Sequence, residues 1–280
     1  MARALARSAP RRPRGPVVLK LGGELLEEPT RLAAIARVIR RQAAEGPLVV
    51  VHGGGREIDQ AMATAGIPKR QVDGLRVTDA ATLGVVVGVL GGTINTRFVA
   101  AINAAGGTAV GLTGADAGVA PVRKAPPFVA TSGETVDLGL VGQPVLAKAP
   151  ALVAALTKGG FVPVIACIGA GRDGQLYNVN ADTLAGSLAT RLGAARLVIA
   201  GATPGVLDAA GATLPVLGSR DIRALVRSGT ANAGMVAKLA ACRAAAAGGV
   251  RQVAIVDGTE PQGLARALAG TEFRGTVIQR

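Results

Sequence analysis

A chain of 280 residues, 49% hydrophobic with 40 glycines and only 2% aromatics, is long enough for one large α/β domain or two modest ones packed by Val, Leu, Ile and Ala, which excludes general disorder. Its 31 basic and 18 acidic residues give a net charge of +13, but five of those charges are Arg3, Arg7, Arg11, Arg12 and Arg14. The remaining 266 residues carry +8 without the aromatic interleaving of a nucleic-acid surface, and no long apolar run is free of Gly, Pro or charge, so neither nucleic acid nor a membrane is an expected partner.

Residues 1–15 read as a disordered basic tail, because Pro10, Pro13 and Pro16 break any amphipathic presequence helix and no apolar signal core follows; a cytoplasmic protein is expected. The runs 17–21 and 48–52 come next. Each is a β-rich apolar segment ending in clustered glycines, Gly22-Gly23 and Gly53-Gly54-Gly55, as suits buried parallel strands whose ends let backbone N–H groups approach an anion. Helical patterns over 30–44 and 57–65 follow them. Thr78-Asp79 starts a further helix running to Leu90, residues 95–105 continue helically, and 109–112 form a strand. Residues 113–147, rich in Gly, Pro, Thr and Val, suit short strands and loops that leave the main sheet. Alternation then resumes with helix 150–158, strand 161–167, helix 180–192, strand 196–200, helices 219–228 and 234–247, and strand 250–256, with a domain boundary near residue 190.

Several residues admit both a structural and a chemical reading. Lys20 lies inside a buried strand, where an unpaired ammonium is costly and a nearby anion would relieve the cost. Lys238, after Gly234-Met235-Val236-Ala237, falls at the opening of a helix, where the macrodipole disfavours a cation. It either aims at a transferring phosphoryl group or faces solvent just past the first turn. In Asn178-Val179-Asn180-Ala181-Asp182, Asn180 and Asp182 could simply cap a helix, or Asn178 could bind substrate while Asp182 holds cationic lysines. Arg76, in Asp73-Gly74-Leu75-Arg76, could fork a carboxylate or form a surface salt bridge. His52 is the only histidine, so no histidine triad or His₂ metal site can be built, and we assign it a packing role; no metal ligands are predicted. Cys167 and Cys242, isolated in apolar segments, read as buried free thiols.

Taken in order, Lys20-Leu-Gly-Gly, His52-Gly-Gly-Gly, Gly74-Leu-Arg-Val-Thr78, Gly111-Leu-Thr-Gly-Ala-Asp116, Val136-Asp-Leu-Gly139, Asn178-Val-Asn-Ala-Asp182 and Gly234-Met-Val-Ala-Lys238 resemble the acetylglutamate kinases of the amino-acid kinase superfamily. The resemblance runs over most of residues 17–280 and implies a three-layer α/β/α sandwich on a mainly parallel central sheet. It implies an N-terminal lobe, residues 16–190, for the acyl amino acid and dimerisation, and a C-terminal lobe, residues 191–280, for ATP. The implied reaction phosphorylates the γ-carboxylate of N-acetyl-L-glutamate in arginine biosynthesis, with Mg²⁺ carried mainly by the nucleotide and a homodimer as the assembly.

By the same resemblance, Lys20 and Lys238 stabilise the transferring phosphoryl group and Asp182 orients both. Gly22, Gly54 and Gly55 offer amides to the reacting oxygens, and Arg76 and Asn178 fix the α-carboxylate. Gly201, Ala202, Gly205, Val206, Leu207, Gly234 and Met235 fall in nucleotide-binding segments. Three departures stand out: Ala202 replaces an aspartate usual in the family, lysines that often flank Asn95 are absent, and the N-terminus lacks the long helix of arginine-inhibited members while Glu272-Phe273-Arg274-Gly275-Thr276 departs from the usual small-residue C-terminal segment, so arginine feedback is not expected. Alternatives are a kinase for carrier-protein-linked glutamate or aminoadipate, and a nucleotide-impaired regulatory homologue.

Overall fold

The computed structural model describes residues 15–280 apart from residues 131 and 232, so the predicted tail lies almost wholly outside the described residues. One mixed sheet of eight strands runs through the molecule. Its strands are β1 (Val17–Leu21), β2 (Leu48–His52), β3 (Ala109–Thr113), β4 (Val162–Ala166), β5 (Arg196–Gly201), β6 (Val216–Leu217), β7 (Gln252–Asp257) and β8 (Gly275–Ile278). Their spatial order is β6-β8-β7-β5-β1-β2-β4-β3, and every pairing is parallel except β7 with β8. Strands β1, β2 and β4 are buried at every position, as parallel strands covered on both faces must be. Strand β1 is the hinge of the order: the sheet strands after residue 190 lie on one side of it, and β2, β3 and β4 on the other.

The helices are α1 (Pro29–Glu45), α2 (Gly55–Thr64), α3 (Ala80–Val87), α4 (Asn95–Ala104), α5 (Ala151–Lys158), α6 (Ala181–Arg191), α7 (Ser219–Arg227), α8 (Ala233–Ala247) and α9 (Pro261–Ala269). Helix α1 packs on α4 and α9, while α6 packs on α8 and on β1 and β2, which gives the predicted α/β/α layering. A π-helical turn, Gly88–Ile94, joins α3 to α4 in one continuous 25-residue helix, Ala80–Ala104. That helix is long and apolar enough in composition to cross a bilayer, yet Val86, Leu90, Ile94, Phe98 and Ile102, spaced four residues apart, are buried in the protein core. The excursion after β3 forms a second sheet, with strands Ile168–Ala170, Leu176–Val179, Val141–Pro144 and Val122–Lys124 in that order, and a hairpin pairing Phe128–Val129 with Thr135–Val136.

Three expectations need correction. The chain does not end its regular structure at the strand near residue 256: α9 and β8 follow, and β8 is the only antiparallel neighbour in the main sheet. Helix α2 begins at Gly55 itself, so the glycine cluster runs directly into it. Helix α8 begins at Ala233, which puts Lys238 in its second turn, where the macrodipole argument made for it does not apply.

The two glycine turns rest on each other backbone to backbone. A Cβ added at Gly23 would come 2.5 Å from the Cα and 2.8 Å from the N of Gly54, and one added at Gly54 would collide with Ile94 and approach Leu90 Cδ2 to 2.9 Å. Close approach, rather than backbone conformation, demands glycine at both positions.

Candidate active site

In register, Leu21 sits between Ala200 and His52, so Gly22, Gly53 and Gly201 leave the sheet side by side at its carboxyl edge. The ladder runs past the strand ends: Gly22 N donates to Ala200 O at 3.0 Å and Gly53 N to Leu21 O at 3.2 Å. Open parallel sheets bind ligands at this edge, and the predicted residues gather around it in two groups.

The first group is charged. Lys20 Nζ pairs with Asp182 Oδ1 at 2.8 Å, the two residues being 8% and 7% exposed. Apart from that ion pair Oδ1 meets no hydrogen-bond donor among the described residues. Asn180 caps α6 by accepting from Thr183 N at 3.0 Å, which delivers Asp182 in the first helical turn onto the β1 edge. The capping reading of this motif holds for Asn180, and Asp182 holds one lysine, Lys20. Burial pulls the Lys20 ammonium down, but the Asp182 carboxylate, with Glu24 beyond it, outweighs burial and raises its pKa. Lys238 approaches the same spot from α8, its Nζ 3.3 Å from where a Cβ on Gly201 would stand. Its pKa is lowered, first by burial and then by the charge of Lys20. Asp182 touches Lys20 but forms no ion pair with Lys238, so the expected contact with both lysines is direct to one and through the field to the other.

The second group lines a cavity of about 220 Å³ walled by Gly53, Gly54 and Gly55, the Gln71–Arg76 hairpin, Leu90, Cys167, Asn178 and Ala181. Asp73 and Gly74, both at positive φ, make the two-residue turn of that hairpin and so place Arg76 over α2. Arg76 is not at the surface. It is 9% exposed, and its Nη2 donates to Asp59 Oδ1 and to Gly55 O at 3.3 Å while Nη1 meets Met62 Sδ at 3.1 Å. Gly55, Asp59 and Met62 form one stripe of α2 beneath it. Partial burial pushes Asp59 up, but hydrogen bonds from Lys69 and Arg76 hold it below the usual carboxylate range. Across the cavity, Asn178 Nδ2 donates to Thr78 Oγ1 at 3.1 Å. Asp59 escaped the sequence reading, although its spacing four residues after Gly55 placed it on the glycine-cluster face of a helix.

His52, fully buried, meets Phe98 edge-on, and its Nδ1 lies 3.1 Å from Gly53 O. Asn95 Nδ2 donates to Val164 O at 2.9 Å and lies 3.0 Å from His52 Nε2, which accepts from it when the ring is neutral with its proton on Nδ1. Burial lowers the His52 pKa to about 4. An unfolded histidine takes up a proton as pH falls through about 6.5, whereas this one does so only near its folded value. Its contribution is therefore complete above the unfolded pKa and is lost toward the folded one, reaching about 3 kcal/mol. Urea unfolding from pH 7 to pH 4.5 should show that loss in the wild type and a shallower one in His52→Gln.

The segments assigned to nucleotide follow β5. Gly205 has φ +130°, Val206 N donates to Thr276 Oγ1 at 2.8 Å, and Thr276 Oγ1 donates to Leu214 O at 2.7 Å, so β8 clamps the loop that carries Gly205, Val206 and Leu207. Ala202 is exposed just past Gly201. Across from Gly201 in β7 stands Asp257, whose Oδ1 accepts from Thr259 N at 2.8 Å. Gly234 and Met235 lie in the first turn of α8, ahead of Lys238 on the same helix. Both cysteines are buried and free, with burial pushing the Cys167 thiol up to about 12.

Comparison with known proteins gives the family. The model of the amino acid kinase family matches residues 15–257. An acetylglutamate kinase from Sorangium cellulosum is 42% identical over 269 residues, covering 94% of each chain. The chain belongs to the acetylglutamate kinases of this family. A relative of the same name from Azoarcus sp. is also 42% identical, over 94% of this chain and 88% of its own. Among solved structures, N-acetylglutamate synthase from Neisseria gonorrhoeae in complex with coenzyme A and N-acetyl-glutamate superposes with a TM-score of 0.80 at 25% identity; this chain spans only 59% of that longer one. Giardia carbamate kinase, at 16% identity and a TM-score of 0.66 over 95% of this chain, shares the fold.

Proposed function

We propose that this chain is an ATP-dependent N-acetyl-L-glutamate 5-kinase of arginine biosynthesis, acting as a cytoplasmic homodimer. The observation that carries the reading is the buried Lys20–Asp182 pair beside Lys238, one glycine turn away from a small cavity holding Arg76 and Asn178.

The reaction needs no side-chain nucleophile. The γ-carboxylate of the acyl amino acid is ionised at neutral pH, and one of its oxygens forms the bond to the γ-phosphorus as the bond to the ADP oxygen breaks. What remains for the protein is to bring the two anions together in line and to neutralise the charge they share. Arg76 and Asn178 hold the α-carboxylate end in the cavity, while the amides of Gly54 and Gly55 face the reacting oxygens; the Gly22 amide, expected to join them, is instead taken up by Ala200 O at 3.0 Å. Lys20, fixed by Asp182, and Lys238 take the charge on the phosphoryl group from the β1 and α8 sides. The donor set at this edge, ammonium groups and backbone amides, suits phosphate oxygens. Mg²⁺ travels with the nucleotide and supplies further charge neutralisation there. Gly201, Ala202, Gly205, Val206 and Leu207, with Gly234 and Met235, form the nucleotide side.

Asp59 sets the aim of Arg76 before substrate arrives, so Asp59→Ala should raise KM for N-acetylglutamate about tenfold and leave KM for ATP unchanged, as steady-state kinetics with each substrate varied would register. Initial rates with free N-acetyl-L-glutamate and with glutamate linked to an acidic carrier protein test the substrate assignment. Turnover of the free amino acid is the expected result, and turnover of the carrier-linked form alone would overturn it.

A further inference from the structure

Glu24 is a charged group beside Lys20 and Lys238 that the proposed chemistry leaves unused. It lies in the short helical turn Gly23–Leu25 directly after β1, and its carboxylate folds back over Gly22, where an added Cβ would collide with both of its oxygens. Its Oε1 is also 3.5 Å from where a Cβ on Gly201 would stand, beside the Lys238 ammonium at 3.3 Å from the same point. The carboxylate thus occupies the gap between the ends of β1 and β5, beside Lys238. It is half-buried, and no hydrogen bond or ion pair holds it among the described residues.

An acidic residue in the first turn of a helix needs no special explanation, but that preference does not require the side chain to turn back over Gly22 and Gly201. Charge balance does explain it. Two ammonium groups converge here against a single paired carboxylate, Asp182; with Glu24 the edge carries two charges of each sign. Glu24 acts on both lysines through the field, favouring their charged forms. A phosphoryl group bound between Lys20 and Lys238 brings its own negative charge into the same gap, and a carboxylate left there would repel it.

Building on the kinase reading, we propose that Glu24 is a resident counter-anion that holds the phosphoryl position in the nucleotide-free protein and turns away when phosphate enters. Glu24 then sets the affinity for phosphate-bearing ligands rather than the chemistry. Its loss strengthens anion binding at the edge and leaves the acyl cavity, on the far side of the glycine turns, unaffected.

Calorimetric titration of the full chain with inorganic pyrophosphate tests this without depending on turnover. Glu24→Gln should bind pyrophosphate about tenfold more tightly than the wild type. Glu24→Asp, too short to reach back over Gly22, should gain in the same direction, and Leu25→Val, a neighbouring change that leaves the charge in place, should not. Unchanged or weaker binding in both Glu24 variants would overturn the proposal, weaker binding marking Glu24 as a ligand to an anion-bound cation instead. Parallel rates with ATP and N-acetyl-L-glutamate keep the two readings apart. A wild type that turns over while neither variant gains affinity refutes the counter-anion alone, and a gain in affinity without any wild-type turnover refutes the kinase reading alone.

Discussion

Replacing Lys238 with alanine lowers kcat by about 10²–10³, the loss typical of removing one preorganised charge-stabilising donor, while KM for N-acetylglutamate stays within about twofold. The expectation rests on position. Lys238 reaches the end of β5 from α8, remote in the chain from Arg76 and Asn178, so its removal withdraws stabilisation of the phosphoryl group without disturbing the acyl cavity. Because it makes no ion pair among the described residues and the Glu24 carboxylate beside it is only half-buried, truncating it strands no fully buried charge, and the variant should unfold at nearly the wild-type urea concentration. Steady-state kinetics over both substrates, with a denaturation curve alongside, separate the catalytic from the structural effect.

Asp182→Ala is expected to cost stability first and activity as a consequence. Its carboxylate is the partner of Lys20, and both are nearly inaccessible to water, so removing it leaves an ammonium buried between β2 and β5 with no compensating contact. Breaking one side of such a pair costs roughly 3–5 kcal/mol, whereas replacing both sides with apolar groups of similar size is often neutral. Urea unfolding should therefore show the large loss in Asp182→Ala and its recovery in Lys20→Met/Asp182→Leu, while neither variant turns over. The pair also has a pH signature. The folded pKa of Lys20 is raised, so its contribution is present below the unfolded lysine value and is lost only as pH climbs through the folded one, in the strongly alkaline range.

The parts of this molecule that were legible in its sequence are those written locally. Strands β1 and β2 were, because unbroken Val and Leu runs ending in glycine have few other stable uses; the Asp73-Gly74 hairpin turn that delivers Arg76 was not among the elements expected, although an Asp-Gly pair is a hairpin signal. Helix α9 and strand β8 were not. Leu264 and Leu268 are the only large apolar residues of α9, and alanine and glycine around them dilute the helical period, while β8 is four residues long. Strand order is also invisible to periodicity: nothing local says that β1 lies between β2 and β5, yet that adjacency brings Lys20 beside Gly201 and Lys238.

At the site, motif order singled out Lys20, Asp182, Arg76, Asn178 and Lys238, but their contacts come only from the structure. The structure gives Asp182 to Lys20 alone and Asp59 to Arg76, and it turns Glu24 back onto Gly22. Each of these depends on a side-chain direction across a tertiary contact, which composition and spacing do not encode. Lys238 illustrates the limit from the other side: the residue was singled out, but α8 begins at Ala233 and places it in the second turn, past the helix-end field used to explain it.

Transfer of a phosphoryl group to a carboxylate leaves an acyl phosphate, which hydroxylamine traps. Purified protein incubated with Mg·ATP, N-acetyl-L-glutamate and hydroxylamine should yield the γ-hydroxamate and ADP in equal amounts, with the yield falling by about 10²–10³ in Lys238→Ala. ADP released without hydroxamate would rule out phosphoryl transfer to the carboxylate, and hydroxamate formed at the same rate by Lys238→Ala would rule out a role for Lys238 in it.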